Sequence, residues 1–142
     1  MWSLRKVKAS DAIFKQAKGI RTQVFVEEQG VPELLEYDEY EALSTHFLVF
    51  DQEKAVATAR WRQTIDGIKL ERFAVLPHYR GKGIGKFLVQ QMIQEVKSLS
   101  DCIYLNAQIQ VVPFYEQLQF ERVGPLFEEA GIQHYKMVLK DA

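Results

Sequence analysis

The residues best suited to chemistry in this sequence form a short basic loop rich in glycine, Arg80-Gly81-Lys82-Gly83-Ile84-Gly85, which is followed by Lys86. The loop lies between a predicted strand and a predicted amphipathic helix. Glycine lets the backbone approach a ligand closely and adopt positive φ, and the first N–H groups of a helix attract anions with the help of the helix dipole. The arrangement is therefore typical of a phosphate site, although a glycine loop at a strand–helix junction can also be only a tight connection.

The spacing of these glycines excludes two common phosphate motifs. A Walker A loop ends in Gly-Lys followed by Ser or Thr, which this segment lacks. Glycines at 81, 83 and 85 do not have the G-x-G-x-x-G spacing of the dinucleotide fingerprint, and the preceding strands are predicted to form a meander rather than a β-α-β unit. The loop thus indicates a phosphate-bearing ligand without identifying it.

Hydrophobic periodicity predicts the elements that position the loop from its N-terminal side. We expect a first strand at Trp2–Val7 and a helix that is capped by Ser10 and ends before Gly30. Alternating apolar residues and an Asp66-Gly67 turn then predict a three-stranded meander. Its strands are Phe47–Phe50, Ala55–Thr64 and Leu70–Leu76.

The rest of the chain predicts a β-α-β unit followed by a short helix and a last strand. These elements are a helix at about Gly83–Ser98, a strand at Cys102–Ala107, a helix at Pro113–Gln119 and a strand at Tyr135–Leu139. The order β-α-β-β-β-α-β-α-β predicts a single α+β domain over residues 1–142. It has a mixed, mostly antiparallel sheet of six to seven strands between two helical layers, an α/β/α sandwich. An exposed edge strand at 135–139 makes a homodimer a further expectation.

Composition narrows the classes of function. The chain has 142 residues, 47% of them hydrophobic, and a formal net charge of −1, which is typical of one globular domain. No apolar run is long enough to span a membrane and residues 1–15 contain no signal-peptide core. Cys102 is the one cysteine, so an internal disulfide is excluded and a cytoplasmic setting is expected. The three histidines lack metal-ligand spacing, so no metal is expected.

The charges are unevenly distributed. Residues 22–53 contain nine acidic residues and no Lys or Arg, so the remainder of the chain must carry +8, much of it in residues 60–86. A near-zero total argues against nucleic-acid binding, which requires a net basic surface. The split predicts a molecule that holds an anion in one place and a cation in another. Two solvated faces of opposite sign are the alternative.

The sequence around the loop resembles the GCN5-related N-acetyltransferases. Arg80-x-x-Gly83-x-Gly85 is similar to that family's acetyl-CoA pyrophosphate loop, and Phe73–Tyr79 to its fourth strand. Leu105–Gln108 and Phe114–Phe120 resemble its fifth strand and the following helix. The resemblance covers essentially the whole chain, and its N-terminal part, at residues 21–29, 36–38 and 45–47, is similar to the ElaA-like subgroup. One departure is Lys69, which falls near a glutamate base of some members.

The resemblance implies where acetyl-CoA would bind. Its pantetheine arm is expected to pair, as though it were another strand, with main-chain groups of Phe73, Ala74 and Val75. One N–H there could also polarise the thioester carbonyl. The pyrophosphate is expected on Arg80–Lys86. Further cofactor contacts are expected at Asn106 and Phe114.

The resemblance also suggests catalytic residues. Tyr115 matches the family's Phe-Tyr position and is the expected general acid for the leaving thiolate, with a buried core tyrosine as the alternative. The residues that could accept a proton from the amine are Glu71, His46, Glu28 and Glu27, and the sequence does not choose among them, although a histidine has the best unperturbed pKa. The acceptor pocket is expected to include Arg21, Phe25 and Glu28.

The function implied is transfer of an acetyl group from acetyl-CoA to a primary amine, a small molecule or a peptide, by direct attack in a ternary complex. One alternative is a non-catalytic acyl-CoA-binding or sensor module. Another is an acyltransferase like the acyl-homoserine-lactone synthases, which share an Arg-x-x-x-Phe pattern followed by acidic residues. The acidic segment 22–53 predicts a cationic acceptor.

Overall fold

A computed structural model describes residues 2–140, which form a seven-stranded sheet with helices on both faces. The strands are β1 (Trp2–Val7), β2 (Thr45–Asp51), β3 (Lys54–Thr64), β4 (Gly67–Val75), β5 (Ile103–Gln108), β6 (Phe120–Glu129) and β7 (Ile132–Leu139). Their order across the sheet is β1-β2-β3-β4-β5-β7-β6. Every neighbouring pair is antiparallel except β4 and β5, which are parallel. This is the mixed, mostly antiparallel sheet that the sequence predicts.

The helices divide the hydrophobic core into two layers. They are α1 (Phe14–Arg21), a π-helical turn at Thr22–Glu28, α2 (Glu33–Glu36), α3 (Ile84–Val96) and α4 (Val112–Gln117). On one face, α1 packs Phe14 and Ala17 against Leu48 of β2. On the other, the apolar stripe of α3 packs with Leu70 and Leu105 at the middle of the sheet. The α/β/α sandwich is therefore confirmed.

The C-terminal part of the sheet differs from the prediction. β6 was not expected because most of its side chains are exposed, so its sequence lacks the period-two alternation of a half-buried strand. It lies at the edge of the sheet, where Pro125 is tolerated. β7 begins at Ile132 and lies between β5 and β6. Residues 135–139 therefore do not form an edge strand, and the argument for a homodimer from that edge is wrong.

The first helix begins later than predicted. The side chain of Asp11 accepts a hydrogen bond from the N–H of Lys8 at 2.8 Å, and turns precede the helix until Phe14. Ser10 therefore does not cap it. The helix continues through the π-helical turn and ends before Gly30 as expected. Such π-helical turns are frequent at functional sites.

Candidate functional site

β4 and β5 diverge at the middle of the sheet and leave an open cleft. Their parallel pairing is confined to Ile68–Leu70 on β4 and Ile103–Leu105 on β5. β4 then contains a β-bulge: the register with β3 shifts between Thr58 and Arg60, and Arg72 has a φ of +61°. The resulting space between the two strands, which we call the central cleft, has a volume of about 930 Å³. A cavity of this size is typical of a ligand site.

The edge of β4 that faces the central cleft carries main-chain groups with no strand partner. The N–H of Leu76 donates to Val56 of β3 at 2.9 Å. Since successive peptide groups of a strand point in opposite directions, the N–H groups of Phe73 and Val75 point away from β3. Consistent with this, the carbonyl oxygen of Val75 accepts a hydrogen bond from Arg80 Nε at 2.9 Å. An extended ligand could therefore pair with this edge.

The glycine loop forms one end of the cleft. Gly81 and Gly83 have φ values of +75° and +88°, a left-handed conformation that favours glycine. Gly83 precedes the first turn of α3 and no side chain caps that turn, so its N–H groups remain available. Lys82 and Lys86 add positive charge to the loop. The ammonium group of Lys82 lies 5.5 Å from the centroid of the Tyr79 ring. The loop has the backbone geometry and the charge of an anion site.

Arg80 is paired in this structure with Glu28 of the π-helical turn. Its two terminal nitrogens each donate to a different oxygen of the Glu28 carboxylate at 2.7 Å. The pair is partly exposed, and the hydrogen bonds from Arg80 lower the pKa of Glu28. Glu28 and Arg80, which were expected to contact different substrates, therefore contact each other. Their ion pair connects the π-helical turn to the glycine loop.

Tyr115 lines the cleft within a group of aromatic rings. Its ring centroid lies 5.0 to 5.9 Å from those of Phe73, Phe114 and Phe120, all in edge-to-face geometry. Burial raises the pKa of its hydroxyl above the ordinary value of 10.0. No protein group within residues 2–140 hydrogen-bonds this hydroxyl. The phenol is therefore protonated near neutral pH and has its proton to donate.

The structure brings most of the predicted site residues to the central cleft. Those that line it are Phe25, Glu28, Glu71, Phe73, Val75, Arg80, Gly81, Gly83, Ile84, Gly85, Lys86, Asn106, Phe114 and Tyr115. The side chain of Ala74 instead packs on the α1 side of the sheet, as strand alternation requires. Arg21 and His46 do not line the cleft.

His46 is not positioned to take a proton from an acceptor in the cleft. Its side chain is 1% exposed and its ring packs 4.5 Å from that of Phe14. Nε2 lies 2.9 Å from the main-chain oxygen of Glu41, which accepts its hydrogen bond. Burial lowers the pKa of the imidazole. His46 is thus a neutral core residue, and the interpretation of His46 as a catalytic base is corrected.

Arg21 belongs to a buried ion-pair network rather than to an acceptor pocket. It donates from Nε to Glu36 at 2.5 Å and from its two terminal nitrogens to Glu41 at 2.9 and 2.7 Å. Sequence reasoning missed this network, which we call the buried charge cluster. Its members are Arg21, Glu36, Asp38, Glu41, Arg60, Arg62, Lys69, Glu71 and Arg72. The opposite charges of segments 22–53 and 60–86 were its only signal in the sequence.

Glu71 faces the cleft but is a poor proton acceptor. Burial opposes its ionisation, yet Arg60, Lys69 and Arg62 outweigh burial and lower the pKa of Glu71 to about 2. Its carboxylate accepts hydrogen bonds from Arg60 Nε at 2.7 Å and from Arg62 Nε at 2.8 Å. A carboxylate with this pKa is a weak base, and its oxygens are already engaged by Arg60 and Arg62. The structure therefore gives Glu71 a structural role, contrary to its assignment as a base.

The acidic segment does not form a free negative rim around the cleft. Glu28 is paired with Arg80, and Glu36, Asp38 and Glu41 are paired with arginines of the buried charge cluster. The negative charge of residues 22–53 is thus largely neutralised where it approaches the cleft. The prediction of a cationic acceptor rested on that charge being available, and it loses this support.

Within residues 2–140, no three or more His, Cys, Asp or Glu side chains are grouped as metal ligands would be. Among the helices described there, none has the length and apolar character needed to cross a membrane.

Comparisons with known proteins agree with this geometry. A family model described as an acetyltransferase (GNAT) domain matches residues 9–140. The uncharacterized N-acetyltransferase YjcF of Bacillus subtilis (strain 168) is 39% identical over 129 residues, covering 87% of this chain and 90% of that protein.

Two solved structures share the fold. An acyl-CoA N-acyltransferase from Pseudomonas aeruginosa superposes with a TM-score of 0.87 at 22% identity, covering 98% of this chain and 99% of that one. Escherichia coli ElaA superposes with a TM-score of 0.87 at 23% identity, covering 97% of this chain and 99% of that one.

Proposed function

The chain belongs to the acetyltransferase (GNAT) family, among its ElaA-like members, and is an acyltransferase; on this premise we propose that it moves an acetyl group from acetyl-CoA to a primary amine by direct attack in a ternary complex. The observation that carries the proposal is the central cleft, which has an anion site at one end, an unpaired strand edge along one wall and a protonated phenol inside. We further propose a cytoplasmic setting, in keeping with the single cysteine.

The loop residues are proposed to hold the pyrophosphate of acetyl-CoA. The first-turn N–H groups of α3 and the ammonium groups of Lys82 and Lys86 would bind it directly. Arg80 would join them by exchanging its exposed partner Glu28 for the pyrophosphate. The N–H groups of Phe73 and Val75 would donate hydrogen bonds to the amide carbonyl oxygens of the pantetheine arm. Asn106 and Phe114 line the facing wall of the cleft.

Tyr115 is proposed to protonate the leaving thiolate. The amine nitrogen forms a bond to the thioester carbon, the carbon–sulfur bond then breaks, and the sulfur takes the phenolic proton. The proton that leaves the nitrogen passes to water, and the phenolate recovers a proton from solvent. A main-chain N–H of the β4 edge stabilises the oxyanion. No side chain is assigned as the base, and no metal is assigned a role.

The decisive experiment is a release assay for free CoA across a panel of amines, with wild type and Tyr115→Phe. The variant should bind acetyl-CoA with unchanged affinity in calorimetry but show kcat lowered about a hundredfold, the range typical of general acid catalysis. Tyr104→Phe is the matched control, because Tyr104 is also buried but hydrogen-bonds Thr64 at 2.7 Å, away from the cleft.

Two results would contradict the proposal. Binding of acetyl-CoA by a wild type that releases no CoA with any amine would favour the non-catalytic acyl-CoA-binding module. Equal turnover of wild type and Tyr115→Phe would remove Tyr115 from the mechanism and leave the transfer reaction to other groups.

A further inference from the structure

Two positively charged side chains lie directly opposite each other on the wall of the central cleft. Arg62 of β3 and Lys69 of β4 are cross-strand partners, and both line the cleft. Their side chains are 16% and 14% exposed. Like charges in such a pair are destabilising unless an anion lies between them. The position therefore calls for negative charge.

The protein supplies this pair with one shared carboxylate. Glu71 accepts from Arg62 at 2.8 Å and lies 3.2 Å from Lys69 Nζ. The same carboxylate also binds Arg60, at 2.5 and 2.7 Å. Three cations thus share one anion, and two of the three have no other carboxylate partner within residues 2–140.

The imbalance extends to the whole buried charge cluster, which contains five cations and four carboxylates. Arg21, Arg60 and Arg72 each contact at least two of the carboxylates. The surplus positive charge is therefore localised on Arg62 and Lys69, where the cluster opens onto the cleft.

Arg62 is held in position to bind an anion. Its guanidinium carbon lies 3.8 Å from the centroid of the Tyr40 ring, and its Nε is fixed by Glu71. Its two terminal nitrogens make no hydrogen bond to a protein group in the described part of the chain. A guanidinium with a free planar fork is suited to bidentate binding of a carboxylate or a phosphate.

This position is separate from the anion site at the glycine loop. Lys69 and Val75 are six residues apart on β4, which corresponds to somewhat less than about 20 Å because the β-bulge at Arg72 shortens the strand. A pyrophosphate on Arg80–Lys86 therefore cannot reach Arg62 and Lys69. An anionic group at this end of the cleft must come from the other substrate.

We infer that the acceptor amine carries an anionic group, a carboxylate or a phosphate, which binds between Arg62 and Lys69. This inference rests on the proposed function and narrows its acceptor to acidic amines. It replaces the cationic acceptor expected from the acidic segment, because the acids of that segment that line the cleft, Glu28, Glu36 and Asp38, are paired with arginines and the surplus charge of the cluster is positive. A polyamine would bring more positive charge to a site that already has a surplus.

The test measures CoA release with matched acceptors. Glycine, β-alanine and γ-aminobutyrate are each compared with the corresponding amide, O-phosphoethanolamine with ethanolamine, and putrescine provides a cationic amine. We expect at least one acceptor with an anionic group to exceed its counterpart without that group at least tenfold in kcat/KM. The carboxylate and phosphate arms show which anion is preferred.

Variants then locate the effect. Arg62→Gln and Lys69→Gln should each lower kcat/KM for the anionic acceptor about tenfold or more, through its KM. The kcat/KM of the counterpart without the anionic group and the KM for acetyl-CoA should change less than twofold. Arg62→Lys should recover part of the loss. Arg122→Gln, an exposed arginine outside the cleft, is the matched control and should change nothing.

The outcomes separate this inference from the proposed function. Preference for putrescine or for amines without an anionic group would overturn the inference while the transfer reaction stands. Equal losses in Arg62→Gln on acceptors with and without the anionic group would do the same. If no amine releases CoA, binding is measured by calorimetry in the presence of CoA. Amines with an anionic group that bind wild type but not Arg62→Gln support the inference without the transfer reaction. If they do not bind wild type, the inference and the proposed function are both overturned.

Discussion

Two arginine–glutamate pairs in this protein have nearly the same geometry and very different surroundings. Arg21 binds Glu41 through both terminal nitrogens at 2.9 and 2.7 Å, and Arg80 binds Glu28 in the same way at 2.7 Å twice. The Arg21 side chain is 1% exposed, whereas that of Arg80 is 41% exposed. The comparison shows that the fork of hydrogen bonds alone does not assign a role to an arginine.

Burial decides which pair can exchange its partner. Arg21 has further acceptors in the Glu36 carboxylate and in the Glu36 main-chain oxygen, so each of its nitrogens is satisfied inside the protein. Breaking a buried pair leaves a charge without compensation. Arg80 faces water, where an exposed pair contributes little and another anion can replace the carboxylate. The Arg21 end of the buried charge cluster is thus fixed, whereas the pair at the glycine loop is adaptable.

The largest expected effect comes from removing the two arginines in turn. Arg21→Gln should lower the free energy of unfolding by about 3 to 5 kcal/mol, because Glu36 and Glu41 lose a buried partner. Arg80→Gln should lower it by less than about 1 kcal/mol. Urea unfolding at pH 7 measures both, with the unfolding slope as a check on the native state. Similar losses in the two variants would contradict the distinction by burial.

The pH dependence of stability should show the same distinction. The pKa of Glu71 is lowered from 4.5 to about 2 in the folded state, so its stabilising contribution is present above pH 4.5 and is lost as the pH falls toward 2. The contribution amounts to roughly 3 kcal/mol. In urea unfolding, the stability difference between wild type and Glu71→Gln should narrow over this window.

The control for this measurement is Glu28→Gln. Its pKa is also lowered, by the hydrogen bonds from Arg80, but the pair is exposed and screened by solvent. The stability difference between wild type and Glu28→Gln should therefore vary little with pH. A constant difference for Glu71→Gln would mean that the carboxylate is not held ionised by the cluster.

The two ends of the cleft also differ in how far the sequence predicts them. The glycine loop is readable because its glycines, its basic residues and the start of α3 lie within a few consecutive positions, so local geometry alone sets the site. The buried charge cluster joins residues up to 36 positions apart. Its pairing depends on the register of β3 with β4 and on the path of residues 33–45, which no local pattern encodes.

The same reasoning explains the other differences between sequence and structure. Helices and strands with a buried stripe were predicted within a few residues, whereas the exposed edge strand β6 left no periodic signal. His46 and Arg21 are polar residues whose type suggested chemistry and whose burial the sequence does not show. Tyr115 was identified by resemblance, and its function remains a prediction.

A smaller effect is expected at the loop itself. Gly83→Ala should lower the free energy of unfolding by about 1 to 2 kcal/mol, because a residue with a Cβ is strained at a φ of +88°. The cause is the backbone, since the nearest atom to an added Cβ is Trp2 at 3.7 Å. Affinity for acetyl-CoA in calorimetry should fall as well.

Gly19→Ala provides the opposite control. Gly19 lies within α1 and an added Cβ meets no atom within 4 Å, so alanine should raise stability by about 0.5 to 1 kcal/mol. If Gly83→Ala also stabilised the protein, the loop would not need its left-handed conformation, and its geometry would not be specific for glycine.

The smallest expected change in stability is at Lys69, and it tests whether the cluster contains a surplus charge. Lys69→Gln removes one member of a like-charged cross-strand pair, while Glu71 keeps Arg60 and Arg62. The free energy of unfolding should change by less than about 0.5 kcal/mol, because the repulsion from Arg62 that is removed offsets the lost ion pair with Glu71 at 3.2 Å, even though turnover of an acidic acceptor falls. Added phosphate should stabilise wild type more than the variant, because it supplies the missing anion. A loss of several kcal/mol in Lys69→Gln would place Lys69 with Arg21, as a charge that the folded state needs rather than one held for a ligand.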